Sequence, residues 1–124
     1  MYKRQNKFGV PIEMAPALFR DIAARPSLAA VGIHVHIGSQ ITTLDPLEHA
    51  AEAIVRLARA LGDEGIHIEH LDFGGGVGIA YDGGAAPDPA EYVRRIVGAA
   101  GGSGLKLAIE PGRVLVGPAG ALLT

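Results

Sequence analysis

Three stretches of this chain concentrate side chains suited to ligand chemistry. They are His34-Val35-His36-Ile37-Gly38-Ser39-Gln40, Asp72-Phe73-Gly74-Gly75-Gly76 and Glu110-Pro111-Gly112-Arg113. His34 and His36 stand two apart, so on a strand they share one face. Three chemistries suit such a pair: a hydrogen-bonded core histidine beside a polar strand-end residue, a metal site, or a flat imidazole stacked on a planar cofactor with Ser39 bonding its phosphate. The metal reading needs further ligands from other strand ends, and Asp72 is one candidate. The glycine triplet is either a flexible turn or a nest whose successive backbone N–H groups cradle a phosphate. Glu110 is either a strand-end cap or a carboxylate facing a site. Arg113 would then supply charge to an anion, with Pro111 and Gly112 turning the chain so that both side chains meet there.

The elements that carry these stretches follow a simple alternation. Pro11 to Ala24 reads as a helix with Ile12, Leu18, Phe19 and Ile22 on one stripe, stopped by Pro26. Residues 29–37 read as a strand rich in β-branched residues. Asp45-Pro46-Leu47-Glu48 signals a second helix, with Asp45 as N-cap, Pro46 in the first position and Glu48 reaching back. That helix runs to about Leu61 and is ended by Gly62 or Gly65. Residues 66–73 form a second strand. Asp88-Pro89-Ala90-Glu91 repeats the capping signature and opens a third helix to about Ala99. Residues 105–110 form a third strand, and Val114–Val116 and Ala121–Leu123 read as short further strands.

This is an α/β pattern with a parallel sheet. The strand ends fall near His36, Asp72 and Glu110, 36 and 38 residues apart. Three strands do not close a barrel, so the expectation is part of a (β/α)8 TIM barrel, whose chemistry sits at the C-terminal strand ends. In a bare three-stranded sheet, Val31, Ile33, Val35, Ile68, Leu71, Leu105, Leu107 and Ile109 would be partly exposed, and the two open edges would invite association.

Composition narrows the function classes. Hydrophobic residues make up 48% of the chain and charged ones 19%, enough apolar surface for a core. The net charge of −2 gives no electrostatic reason to expect nucleic acid or a membrane surface as partner. There is no cysteine, hence no disulfide or thiolate chemistry. No signal peptide or membrane span is read, and a cytoplasmic location is expected. Eighteen glycines, about twice the usual share, cluster between apolar stretches where backbone must turn or approach a ligand.

Taken together, Lys7-Phe8-Gly9-Val10, residues 32–40, residues 71–79 and Glu110-Pro111-Gly112-Arg113 resemble the diaminopimelate decarboxylases, within the alanine-racemase-like and ornithine-decarboxylase-like barrel family. Order and spacing agree, and the resemblance covers the chain from Lys7 to Thr124. Ornithine decarboxylases share the histidine, the Gly-Ser, the glycines and the Glu-Pro-Gly-Arg. The His-Ile-Gly-Ser-Gln form favours the diaminopimelate branch, although biosynthetic arginine decarboxylases have a similar stretch.

The resemblance implies pyridoxal 5′-phosphate as cofactor and no metal. His36 would stack on its ring. Ser39 and the backbone of Gly74, Gly75 and Gly76, Gly76 above all, would hold its phosphate. Glu110, on the Pro111-Gly112 turn, would bond the ring nitrogen. Arg113 would bind phosphate or the substrate carboxylate. The reaction implied is decarboxylation of meso-diaminopimelate to lysine, by an enzyme that is a homodimer at full length. The alternatives are an ornithine, lysine or arginine decarboxylase, or a non-catalytic phosphate-binding piece. The family's cofactor-anchoring lysine has no counterpart: Lys3, Lys7 and Lys106 stand in other contexts. The expectation is therefore barrel units five to eight over residues 1–113, with 114–124 beginning a C-terminal β domain. Such a fragment would be inactive alone. Gly76→Val is expected to weaken cofactor retention while leaving the fold intact.

Overall fold

The computed structural model of the chain describes residues 8–81 and 83–121. A short 3-10 turn, Ile12–Met14, leads into α1 (Ala15–Ala23), followed by β1 (Gly32–His34), α2 (Asp45–Asp63), β2 (His70–Asp72), α3 (Pro89–Ala99), β3 (Lys106–Ala108) and α4 (Gly112–Val116). The strands form one parallel sheet in the order β1-β2-β3, as the alternation of strand and helix requires. Each strand is shorter than its apolar run, but pairing continues beyond the regular ladder. Val35 donates to Asp72 (2.9 Å), Phe73 to Ala108 (3.0 Å) and Glu110 to Gly74 (2.7 Å). The loops after the strands are therefore tied to one another as firmly as the strands.

Register sorts the side chains. Ile33, Leu71 and Leu107 align in one row across the sheet. Ile33 and Leu71 are buried in a core with Leu47, Ile54, Leu61 and other residues of α2, and with Tyr92 and Ile96 of α3. The alternate row, Gly32, His34, His70, Asp72 and Lys106, is polar or small and turns to the opposite face. The expectation that the whole apolar row is partly exposed is thus corrected. Ile33, Ile68 and Leu71 are buried because the helices cover their side, whereas Val31 and Leu107 remain exposed at the edges.

The helix signals were met unevenly. Asp88 caps α3 as expected, accepting the Ala90 N–H at 2.9 Å. Asp45 does not cap α2, which begins one residue earlier in effect, with Leu44 at the N-cap and no side-chain cap bond. Asp45 and Glu48 instead bind Nη1 of Arg95 on α3, at 2.7 and 2.9 Å. A strong interhelical cation outcompetes the helix's own amides. The strand expected at Val114–Val116 is helix. The turn at Pro111 redirects the chain, Leu115 donates to the Pro111 carbonyl at 3.1 Å, and Val114 packs on the core while Leu115 and Val116 stay exposed. Of the strand expected at Ala121–Leu123, Leu122 and Leu123 lie outside the described residues, and Ala121 is in no regular element. Among the described residues no helix is long and apolar enough to cross a membrane.

Candidate active site at the strand ends

The C-terminal ends of the three strands bring the three chemical stretches together. His34 ends β1, Asp72 ends β2, and Glu110 lies two residues past β3. The His34 Nε2 and a Glu110 carboxylate oxygen are 3.1 Å apart. Donor atoms of His34, Asp72 and Glu110 all lie within 4.8 Å of one another, so the carboxylates and imidazole that sequence spacing could only suggest do converge. A divalent cation also uses such a set; within the protein Asp72 also accepts the Gly74 N–H at 2.8 Å.

His36 lies one ladder step further out. Its Nδ1 accepts the Gly75 N–H at 3.3 Å, which fixes the ring's orientation and leaves Nε2 to carry the proton of the neutral form. Ser39 is exposed, with no hydrogen bond among the described residues.

The glycine loop is more committed than an open nest. Gly74 donates to Asp72 and Gly75 to His36, so two of the three amides are taken within the protein. Only the Gly76 N–H has no partner among the described residues. The lack of side chains is also required by packing: a Cβ on Gly74 would meet the Val35 carbonyl, one on Gly75 the Glu110 carbonyl, and one on Gly76 the Gly38 carbonyl. Gly76 has φ +101°, where a side chain is strained in any case. The three strand-end loops approach so closely here that no side chain fits between them.

Pro111, at φ −78° and ψ 51°, forms an inverse γ-turn in which Gly112 donates to the Glu110 carbonyl at 2.8 Å. Beyond this turn the two charged side chains take different partners within the strand-end loops. Glu110 goes to His34, while Nη1 of Arg113 donates to Oε1 of Gln40 at 2.9 Å. The Arg113 guanidinium also lies 6.0 Å from the centre of the Tyr81 ring.

Two residues of this region were not singled out by sequence reasoning. Gln40 appeared only as the last letter of a motif, yet it touches two other loops. Tyr92 is almost fully buried on α3, and its hydroxyl has no hydrogen-bond partner among the described residues. Burial, and then the charge of Asp72, raises its pKa. Nothing in the spacing of α3 distinguishes this tyrosine from an ordinary core aromatic. Lys106, the one lysine among the described residues, starts β3, four residues before Glu110 and hence about 13 Å along the strand.

Comparison with known proteins places this arrangement in a family. Residues 2–117 match the pattern of the pyridoxal-dependent decarboxylases over their pyridoxal binding domain, and the chain belongs to that family. It is similar to the diaminopimelate decarboxylase of Neisseria meningitidis serogroup A, with 50% identity over 98% of this chain and 30% of the relative. Among solved structures it is similar to the Helicobacter pylori diaminopimelate decarboxylase complexed with L-lysine (34% identity, TM-score 0.84, covering 89% of this chain and 28% of that one). It is also similar to the lysine decarboxylase of Selenomonas ruminantium (30% identity, TM-score 0.75, covering 91% and 30%). The chain thus spans about 30% of the length of the curated relatives it matches.

Proposed function

We propose that these residues form part of the pyridoxal-phosphate site of a diaminopimelate decarboxylase, which removes one carboxylate of meso-diaminopimelate to give lysine and carbon dioxide. The observation that carries this reading is 50% identity to such an enzyme across nearly the whole chain, strand-end loops included. The donor set fits the cofactor. A carboxylate, an oriented imidazole, a free backbone N–H, a free hydroxyl and a guanidinium are what a protonated pyridine ring and a phosphate need. When bound, pyridoxal phosphate supplies an electron sink for the carbanion that decarboxylation leaves.

Each residue then has a stated task. Glu110 keeps a proton on the ring nitrogen by placing negative charge beside it. His36, its ring held by the Gly75 amide, presents a flat face to the pyridine. The Gly76 N–H and the Ser39 hydroxyl donate to phosphate, with Gly74 and Gly75 shaping the cradle and the Pro111-Gly112 turn aiming Glu110. Arg113 offers positive charge to phosphate or to the substrate carboxylate.

The finer placement is part of the same proposal: barrel units five to eight over residues 1–113, residues 114–124 leading into a β-rich domain, and a cytoplasmic homodimer at full length. The anchoring lysine is proposed to come from a position other than Lys106.

The test has two parts. Titration of the chain with pyridoxal phosphate, followed by cofactor fluorescence, should show reversible binding that Glu110→Ala weakens. In the complete enzyme, carbon dioxide release should be far faster from meso-diaminopimelate than from ornithine, lysine or arginine. A preference for one of those three would replace the substrate reading, and absence of cofactor binding would remove the site.

A further inference from the structure

We propose that Gln40 is a positioning residue that locks the three strand-end loops into one rigid anion-binding rim and holds Arg113 ready beside it. This rests on the cofactor reading above. The first observation is conformational: Gln40 has φ +58°, the only non-glycine residue at positive φ among the described residues. Such a conformation is disfavoured for a residue with a side chain and persists when its surroundings over-determine it.

The second observation is what the side chain does. Its Nε2 donates to the Ile79 carbonyl at 2.6 Å, and its Oε1 accepts the Ile79 N–H at 3.3 Å. The amide therefore pairs with Ile79 as a backbone peptide would. It extends the bridge that Ile41 makes by donating to Gly76 and accepting from Gly78. The same Oε1 takes Nη1 of Arg113 at 2.9 Å. One side chain thus joins the loop after β1, the loop after β2 and the start of α4. The orientation of the amide is forced, because Oε1 faces two N–H donors and Nε2 faces a carbonyl. A third observation is spatial: a Cβ on Gly78 would press on the Gln40 side chain and the Ile41 carbonyl.

The residue type is specific to this task. Glutamate would keep a partner for Arg113 but set a carboxylate oxygen against the Ile79 carbonyl. Glycine would relieve the backbone strain and remove the clamp. If Gln40 mattered only through its strained backbone, glycine would be harmless. Because it acts through its amide, glycine and glutamate should both disturb the rim.

Amide hydrogen exchange at Ile79 and the affinities for pyridoxal phosphate and for unphosphorylated pyridoxal would be measured on wild type, Gln40→Gly, Gln40→Glu and Arg113→Met. Ile79 should exchange about tenfold faster in Gln40→Gly, the scale of one lost hydrogen bond, and by less in Gln40→Glu, whose carboxylate still accepts the Ile79 N–H. The preference for the phosphorylated ligand should fall about tenfold in Gln40→Gly. Adding Gln40→Gly to Arg113→Met should lower that preference little further, since both act on one contact. Unchanged Ile79 exchange in both Gln40 variants would overturn the clamp. Faster exchange with unchanged phosphate preference would overturn its role in the rim. If wild type itself does not prefer the phosphorylated ligand, the cofactor reading fails and takes the rim's role with it, while Ile79 exchange still decides the clamp.

Discussion

Gly76 is held by the protein itself, and replacing it by alanine should destabilise the chain before any cofactor is considered. Its φ of +101° places a side chain in a strained region, which costs about 1–2 kcal/mol. The added methyl would also meet the Gly38 carbonyl and come against the Ile41 side chain. Relief of such overpacking typically costs a further ~1–3 kcal/mol. Gly65 supplies the control. It ends α2 at φ +81°, where Ile66 donates to the Leu61 carbonyl at 2.8 Å, and a Cβ there would meet nothing within 4 Å. Gly65→Ala should therefore show the backbone cost alone. Urea unfolding followed by circular dichroism measures both. With a slope of about 1–2 kcal/mol per molar, the extra ~2 kcal/mol of Gly76→Ala should lower the midpoint by roughly 1–2 M more than Gly65→Ala. Equal midpoints would refute the packing argument and return the glycine to a purely ligand-driven role. The same reasoning corrects the expectation that Gly76→Val leaves the fold intact: a branched side chain has less room still.

Three further outcomes are expected. Tyr92→Phe should be neutral or stabilising, since an unpaired buried hydroxyl carries a penalty of about 1–3 kcal/mol; clear destabilisation in thermal melts would show that the hydroxyl has a partner. Glu91 and Glu64 have pKa values lowered by hydrogen bonds, to Arg94 and then Arg95 for Glu91 and to Arg20 for Glu64, so their stabilisation is complete above the ordinary carboxylate range and is lost as pH falls through the folded values; because these pairs are exposed the effect is small, and the double variant Arg20→Met/Arg94→Met should flatten the acid limb of stability against pH slightly, while a steeper limb would sink this account. In the complete enzyme, Glu110→Gln should retain cofactor while turnover drops by about 10²–10³, and near-normal turnover would exclude Glu110 from the chemistry.

How far the sequence reveals this site depends on whether a residue's partners are local. Asp88 caps α3 through an amide two residues away, so its signature could be trusted. Asp45 and Glu48 carry the same signature, but Arg95, some fifty positions on, claims them. Val114–Val116 has strand-forming residues, yet the γ-turn at Pro111 and the core contact of Val114 impose a helix. The parallel order of the strands and the meeting of the three strand-end stretches were legible because strand-end position follows from the alternation of elements, but that His34 rather than His36 ends β1 and meets Glu110 was not. The glycines were legible as a motif but not in their physical reason. A nest open to a ligand and a crossing point of three backbones demand the same residue type, and only coordinates show that Gly74 and Gly75 have already spent their amides.

That crossing point bears on how the site is built. On the proposed reading, a phosphate would meet one amide and one hydroxyl that are unpaired among the described residues, which hold little on their own, so such a cradle would depend on how still the surrounding loops are. Here stillness comes from several independent ties at one end of the sheet. Ile41 pairs with Gly76 and Gly78, Glu110 donates to Gly74, Gly75 donates to His36, and Gln40 pairs with Ile79. Each tie joins loops that follow different strands, so a shift of any one loop would break bonds to another. The groups proposed to face ring and phosphate would consequently be coupled: the amide that orients His36 belongs to Gly75, the residue beside Gly76. A substitution in the glycine loop should therefore disturb imidazole and phosphate contacts together, which loops that moved independently would not do.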